Sequence, residues 1–316
     1  MSPLAETVEA TLADLRSLEA GEAGGMRTHI LDLVVVCDRP EAVEEMSDVI
    51  AGLPYNRPSR ALVALASDED AGTTFDARVF CGAGGAHGAL VCSDLVTLTA
   101  GRGGLALPSL VQSLLLPDLP VFLLWRADPG FAPMVLEQLW SVASRVVFDS
   151  TLQEGTLEAL PRLLRRQPER HVTDLSWTKV TGWRAAVARP FDVPENARAL
   201  RRLDRLEIHH AGHSDAQARL TAAWLLSRTG RRDVDVVIRG QPRRDMRSGS
   251  LTSVVLDCRG QEFSVERIEE GMARVCAPRL EDHVIPLRVP HARELLAQEL
   301  EIFDRDNIFE EAVRAL

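Results

Sequence analysis

Leu119-Pro120-Val121-Phe122-Leu123-Leu124-Trp125 is a run of apolar and aromatic residues with no polar alternation, the pattern of a strand buried on both faces. Pro120 suits the first position of such a strand, where its missing N–H costs no ladder hydrogen bond. Residues 131–143 then have helical spacing. Arg145-Val146-Val147-Phe148 is a second short strand-like run ending in Asp149-Ser150, and residues 153–166 are helical again. Strand and helix in alternation predict an α/β layer on a largely parallel sheet. The pattern extends upstream. Leu4, Val8, Leu12, Leu15 and Leu18 recur at helical spacing, residues 30–37 read as a buried strand, and Pro40 opens a helix running to Ile50. Residues 61–65, 75–81 and 89–98 read as strands, and 105–116 as a helix stopped by Pro117.

Beyond residue 166 the pattern changes. A stretch from Asp174 to Arg184 holds two of the five tryptophans, Trp177 and Trp183, between an Arg- and Pro-punctuated patch and a breaker run at 189–194. It predicts one or two helical turns capped by Asp174. On one continuous helix, tryptophans six residues apart stand about 120° from each other, so one is expected in the core and the other toward a second domain or a partner. Residues 205–209 then read as a strand, and Ala216, Leu220, Ala223, Trp224 and Ser227 as one face of a helix capped by Ser214 or Asp215 and ended by Gly230. Short runs at 234–238, 251–257, 262–268, 273–276 and 283–287, separated by Gly249, Gly260 and Gly271, predict an antiparallel sheet. A helix from Pro290 carries Ala292, Leu295, Leu296, Leu300 and Phe303 on one face, and Asn307 with Glu310 could box a final turn. The expected architecture is an α/β N-terminal domain over residues 1–167 with a largely parallel or mixed sheet. An α+β C-terminal domain with an antiparallel sheet follows over 168–316, beginning with the double-Trp helix.

A length of 316 residues accords with two domains. The formal net charge of −10 argues against a nucleic-acid partner. No apolar window is long enough for a membrane span and the N-terminus lacks a signal-peptide pattern, so the expected location is cytoplasmic. Cys37, Cys81, Cys92, Cys258 and Cys276 are odd in number and without CxxC spacing, which predicts reduced thiols. Lys179 is the single lysine, read mainly as a coding bias.

Few residues suggest chemistry. His209-His210-Ala211-Gly212-His213 resembles a metal cluster, but adjacent histidines on a strand point to opposite faces and no ligand spacing accompanies them, so no metal is expected. Gly82, Gly84, Gly85 and Gly88 lack dinucleotide-fingerprint spacing and read as a hairpin connection, so no cofactor is expected. Trp125-Arg126 and Asp149-Ser150 fall at strand ends, where α/β sheets gather ligands. Three arginine groups, Arg162/Arg165/Arg166, Arg201/Arg202/Arg205 and Arg243/Arg244/Arg247, could recognise a phosphorylated sugar or an acidic surface.

Taken in order, Asp118 to Trp125, Val146 to Ser150, Asp174 to Trp177, Trp183-Arg184 and Ala222 to Arg228, with Arg57-Pro58-Ser59-Arg60 ahead of a strand, resemble the OpcA family, the glucose-6-phosphate dehydrogenase assembly proteins. Lys179, Leu124 and Ser144 depart from that pattern, where Arg, Trp and Asp would be expected. The resemblance implies a non-catalytic partner that binds glucose-6-phosphate dehydrogenase, helps its oligomer form and activates it, with no cofactor of its own. Partner- or ligand-binding candidates are Arg60, Trp125, Asp149, Ser150, Asp174, Trp177, Trp183 and Arg184. The alternative is a sugar-phosphate-binding enzyme or sensor that uses strand ends near Arg60, Trp125 and Asp149 with an arginine cluster.

Overall fold

A computed structural model describes the chain except residues 1, 21–29, 54–59, 70–71, 84–89, 129, 154, 167 and 244. In chain order the elements begin α1 (Pro3–Ala20), β1 (Asp32–Cys37), α2 (Pro40–Ala51), β2 (Arg60–Ala66), β3 (Thr74–Ala83), β4 (Leu90–Ala100) and α3 (Leu107–Leu114). They continue with β5 (Val121–Arg126), α4 (Pro133–Val142), β6 (Arg145–Phe148), α5 (Thr156–Arg166), β7 (His171–Asp174), α6 (Leu175–Lys179), α7 (Thr181–Ala188) and α8 (Pro194–Leu200). The last are β8 (Arg205–Ala211), α9 (Ala216–Thr229), β9 (Asp235–Gln241), β10 (Leu251–Asp257), β11 (Glu262–Glu269), β12 (Met272–Cys276), β13 (His283–Pro286), α10 (Ala292–Glu299) and α11 (Asn307–Val313). Two compact units form. One comprises Met1–Phe148, Pro168–Val172 and Ala292–Asp304, and the other Asp149–Gln167, Thr173–His291 and Arg305–Leu316. Each unit draws on both halves of the chain.

In the first unit the sheet runs β3-β4-β2-β1-β5-β6-β7. β1 pairs in parallel with β2 and β5, β2 with β4, and β5 with β6, while β3 is antiparallel to β4. Every residue of β1 and β5 is buried, as unbroken apolar runs require in a sheet covered on both faces. Residues 292–304 belong here for an electrostatic reason. Arg145, 1 % exposed, donates from Nε and Nη2 to Glu299 Oε1 (2.8 and 2.6 Å) and from Nη1 to the Asp304 carbonyl (3.0 Å). The Phe303 ring meets Phe122 with centroids 5.4 Å apart.

The second unit is built on a sheet ordered β13-β12-β11-β10-β8-β9. β8, β10, β11, β12 and β13 pair antiparallel in succession. β8 and β9 are parallel, joined through α9, which ends on Gly230 in the left-handed region (φ 65°). The sheet is antiparallel as expected except at this edge, where a 14-residue helix between two strands returns the chain to the same end of the sheet.

Other expectations change for local reasons. Residues 171–174 form a strand that the sequence pattern did not suggest. The double-Trp stretch is two helices broken at Val180 (φ −92°, ψ 9°), so the 120° phase argument does not apply and both tryptophans are buried. The terminal helix stops at Glu299 instead of reaching Phe303. The last cap is Asp306, which accepts from Phe309 N at 2.9 Å, rather than an Asn307/Glu310 box. Cys81 and Cys92 are disulfide-bonded, against the reading of five free thiols. The hairpin register places them directly opposite on β3 and β4, a pairing that sequence spacing does not announce. Cys37 and Cys258 remain free and buried, and burial pushes both thiols up to about 12. Gly84, Gly85, Gly88, Arg57 to Ser59 and Arg244 lie outside the described residues.

Candidate functional site

Three sequence candidates, Asp149, Ser150 and Asp174, come together in the second unit, where the chain leaves β6 and where β7 gives way to α6. Asp174 caps α6 by accepting from Ser176 N at 2.7 Å. It also accepts from Ser150 N (3.2 and 3.3 Å) and Ser150 Oγ (2.9 Å). Ser150 Oγ lies 3.0 Å from Ser176 Oγ, which lies 2.7 Å from Thr151 Oγ1. Lys179 Nζ completes the group, donating to Asp149 Oδ1 at 2.8 Å and Thr151 Oγ1 at 3.3 Å. Asp174 is fully buried. Desolvation, with the neighbouring Asp149 charge, raises its carboxyl to about 6 against the opposing pull of these hydrogen bonds and of Lys179. Sequence reading missed Ser176, Thr151 and Lys179. Uniqueness was the available signal for Lys179, since the only lysine of the chain is the one that pairs with Asp149 in this group.

A cavity of about 440 Å³ lies beside the network, lined by Ser150, Thr151, His213, Ser214, Asp215 and Arg219 among others. Its wall includes the start of α9, whose Asp215 makes no side-chain cap bond. Arg219 is turned to Glu158. The arrangement joins a strand end, a loop and a helix start through hydroxyls and carboxylates already bonded to one another.

Trp177 and Arg184 form a second pair. The guanidinium lies 3.4 Å from the indole centroid, a cation–π geometry. Trp177 Nε1 donates to Asp306 Oδ2 at 2.7 Å, and Phe309 packs 5.7 Å away. Burial lowers the Arg184 pKa to about 10, with Asp306 acting the other way. Trp183, 1 % exposed, is a core residue and not a surface anchor.

Arg60 and Trp125 belong to the first unit. Arg60 opens β2 in register with Asp32, whereas Trp125 stands opposite Val36, near the far end of β1. Four positions of strand separate these levels, roughly 13 Å, so they do not share a strand-end site. Arg60 is held by Asp94 (3.1 and 3.3 Å), by Glu9 and by the Leu114 carbonyl (2.8 Å). Trp125 Nε1 donates to the Asp128 carbonyl at 3.2 Å. The histidine cluster has ordinary roles: His209 bonds Glu207 (2.8 Å) and Gln241 (2.9 Å), and His210 is buried. Among the described residues no group of three or more His, Cys, Asp or Glu is disposed to hold a metal ion, and no helix is long and apolar enough to cross a membrane.

Comparison with known proteins adds a relationship that this geometry does not give. Residues 50–165 match the family described as the glucose-6-phosphate dehydrogenase subunit N-terminal domain, and residues 170–313 match the C-terminal domain of the same subunit. The chain belongs to the OpcA family. Among curated relatives, the OxPP cycle protein OpcA of Synechococcus elongatus is 31 % identical over 143 residues, 45 % of this chain and 32 % of that one. The OpcA of Nostoc punctiforme is 24 % identical over 265 residues, 71 % of this chain and 56 % of that one. The chain thus spans about a third to just over half the length of these relatives. Among solved structures, an oxidoreductase of Bacillus subtilis aligns over 90 % of this chain and 94 % of its own with a TM-score of 0.50 and 7 % identity, a likeness of fold alone. The two OpcA family matches meet between residues 165 and 170, whereas the compact units exchange segments on either side of that point.

Proposed function

We propose that this chain is a non-catalytic subunit that binds glucose-6-phosphate dehydrogenase in the cytoplasm, supports its assembly and raises its activity, serving the oxidative pentose phosphate pathway. The observation that carries the reading is the ordered pair of family matches, both described as domains of a glucose-6-phosphate dehydrogenase subunit. The relatives named for the OxPP cycle support it. The polar network favours a non-catalytic reading, because Asp174 is engaged by two backbone amides and a hydroxyl and works as a cap and a staple.

Activation by binding requires tighter contact with the active state of the enzyme than with the inactive one, and a tenfold shift needs about 1.4 kcal/mol of difference. Mixing the purified chain with the dehydrogenase of the same organism should give co-elution on size exclusion, a larger oligomer and a lower KM or higher kcat. Separate elution with unchanged kinetics would end the reading.

A further inference from the structure

A second cavity in the second unit, about 460 Å³, is lined by Arg243, Arg247, Arg267 and Arg288 together with Ser250 and Thr252, with Asp245, Glu269 and Glu270 also on its wall. Its volume falls within the roughly 300–1,000 Å³ of small-molecule sites. Arg243 is taken up by Asp245, with N–O distances of 2.9 and 2.7 Å. Arg247 has no ion pair or side-chain hydrogen bond among the described residues.

Arg267 is held in place from two sides. Its Nε donates to the Leu251 carbonyl at 3.4 Å, and its guanidinium carbon lies 5.7 Å from the centre of the Trp183 ring. Its Nη2 is buried and has no hydrogen-bond partner among the described residues. Burial holds the guanidinium below its ordinary pKa, offset only in part by the Glu270 charge. Thr252, 8 % exposed, also lines the cavity, and its buried hydroxyl has no partner among the described residues. Buried donors are nearly always satisfied, and each unsatisfied one costs about 1–3 kcal/mol, more when charged. Both groups belong to residues that line the same cavity, so one acceptor placed there could serve the two.

We infer that this cavity binds the phosphoryl group of a small phosphate monoester. A planar guanidinium offers paired N–H groups to a tetrahedral oxyanion, and a hydroxyl adds a further donor. Met246, Ile268 and Val289 contribute apolar wall, which suits the organic body of an ester, and the volume exceeds what a bare phosphate fills. Gly249 (φ +85°) and the bond from Ser250 N to the Arg247 carbonyl (3.1 Å) shape the loop that carries Arg247.

The test is isothermal titration of the full chain, without any dehydrogenase, using inorganic phosphate and glucose 6-phosphate at fixed ionic strength, with glucose as the neutral control. Saturable binding of the phosphates and none of glucose is expected, and a preference for the ester places its organic body in the cavity. Thr252→Val and Arg247→Met should each weaken binding by about fivefold or more, while the melting temperature without ligand is not lowered. The inference is overturned by absence of saturable binding, by equal binding of glucose, or by affinity indifferent to both substitutions. It is equally overturned if a poly-glutamate peptide binds and the phosphates do not. Because the dehydrogenase is absent, this result stands or falls apart from the proposed partnership.

Discussion

Arg60 in the first unit is buried and Arg267 in the second half-buried, and their surroundings differ in kind. Arg60 meets two carboxylates and a carbonyl; desolvation works against its cation, and Glu9 and Asp94 more than offset that, raising its pKa. Arg267 has one long bond to a carbonyl, and its pKa is lowered. The contrast teaches that an arginine marks a binding site by the donors its own chain leaves unmatched, not by its burial or by the arginines beside it. Arg145, closed on Glu299 and the Asp304 carbonyl, belongs with Arg60 as scaffold.

The contrast can be broken by substitution. Arg60→Met should have the largest effect, a loss of about 3–5 kcal/mol in denaturant unfolding, because it leaves Asp94 buried with reduced compensation. A loss under 1 kcal/mol would remove the distinction.

Next comes the pH response of the Asp174 network. The folded carboxyl sits near 6 against an ordinary 3.8, so the folded protein keeps a proton that the unfolded chain releases. The contribution of this group to stability is fully present below pH 3.8 and is lost as pH rises through 6, with a slope of at most about 1.4 kcal/mol per pH unit. Denaturant midpoints followed across this window should show the fall, and Asp174→Asn should flatten it. Asp32, also raised to about 6 by burial, retains a response of the same sign.

Thr252→Val should leave stability unchanged or raise it by up to about 1 kcal/mol, since it replaces an unsatisfied hydroxyl by a methyl of similar shape. A clear loss would mean that the hydroxyl has a structural partner. Smallest of all, Arg247→Ala should stay within about 0.5 kcal/mol in thermal unfolding.

Much of this scaffold was legible beforehand. The 119–125 run became β5, the alternation around it became the parallel sheet, and the glycine-separated runs after 250 became hairpins. Asp174 was read as a cap and is one. The β7 strand does not show in the sequence because four residues with three polar members carry too little pattern. The Cys81–Cys92 bond depends on hairpin register, and the burial of both Trp177 and Trp183 depends on the break at Val180, which no proline or glycine marks. The Arg243/Arg244/Arg247 group stands out in the sequence, but Arg267 and Thr252 do not, since each lies inside an unremarkable strand.

The sequence by itself determined the strand and helix segments, the change of pattern after residue 166 and the resemblance to the OpcA family, because hydrophobic periodicity and ordered motifs are carried by neighbours along the chain. Tertiary structure alone decided which segments form each compact unit and which charges are matched. Desolvation and ion pairing depend on groups far apart in sequence: Arg145 finds Glu299 across 154 positions, while Arg267 Nη2 and the Thr252 hydroxyl find no partner among the described residues.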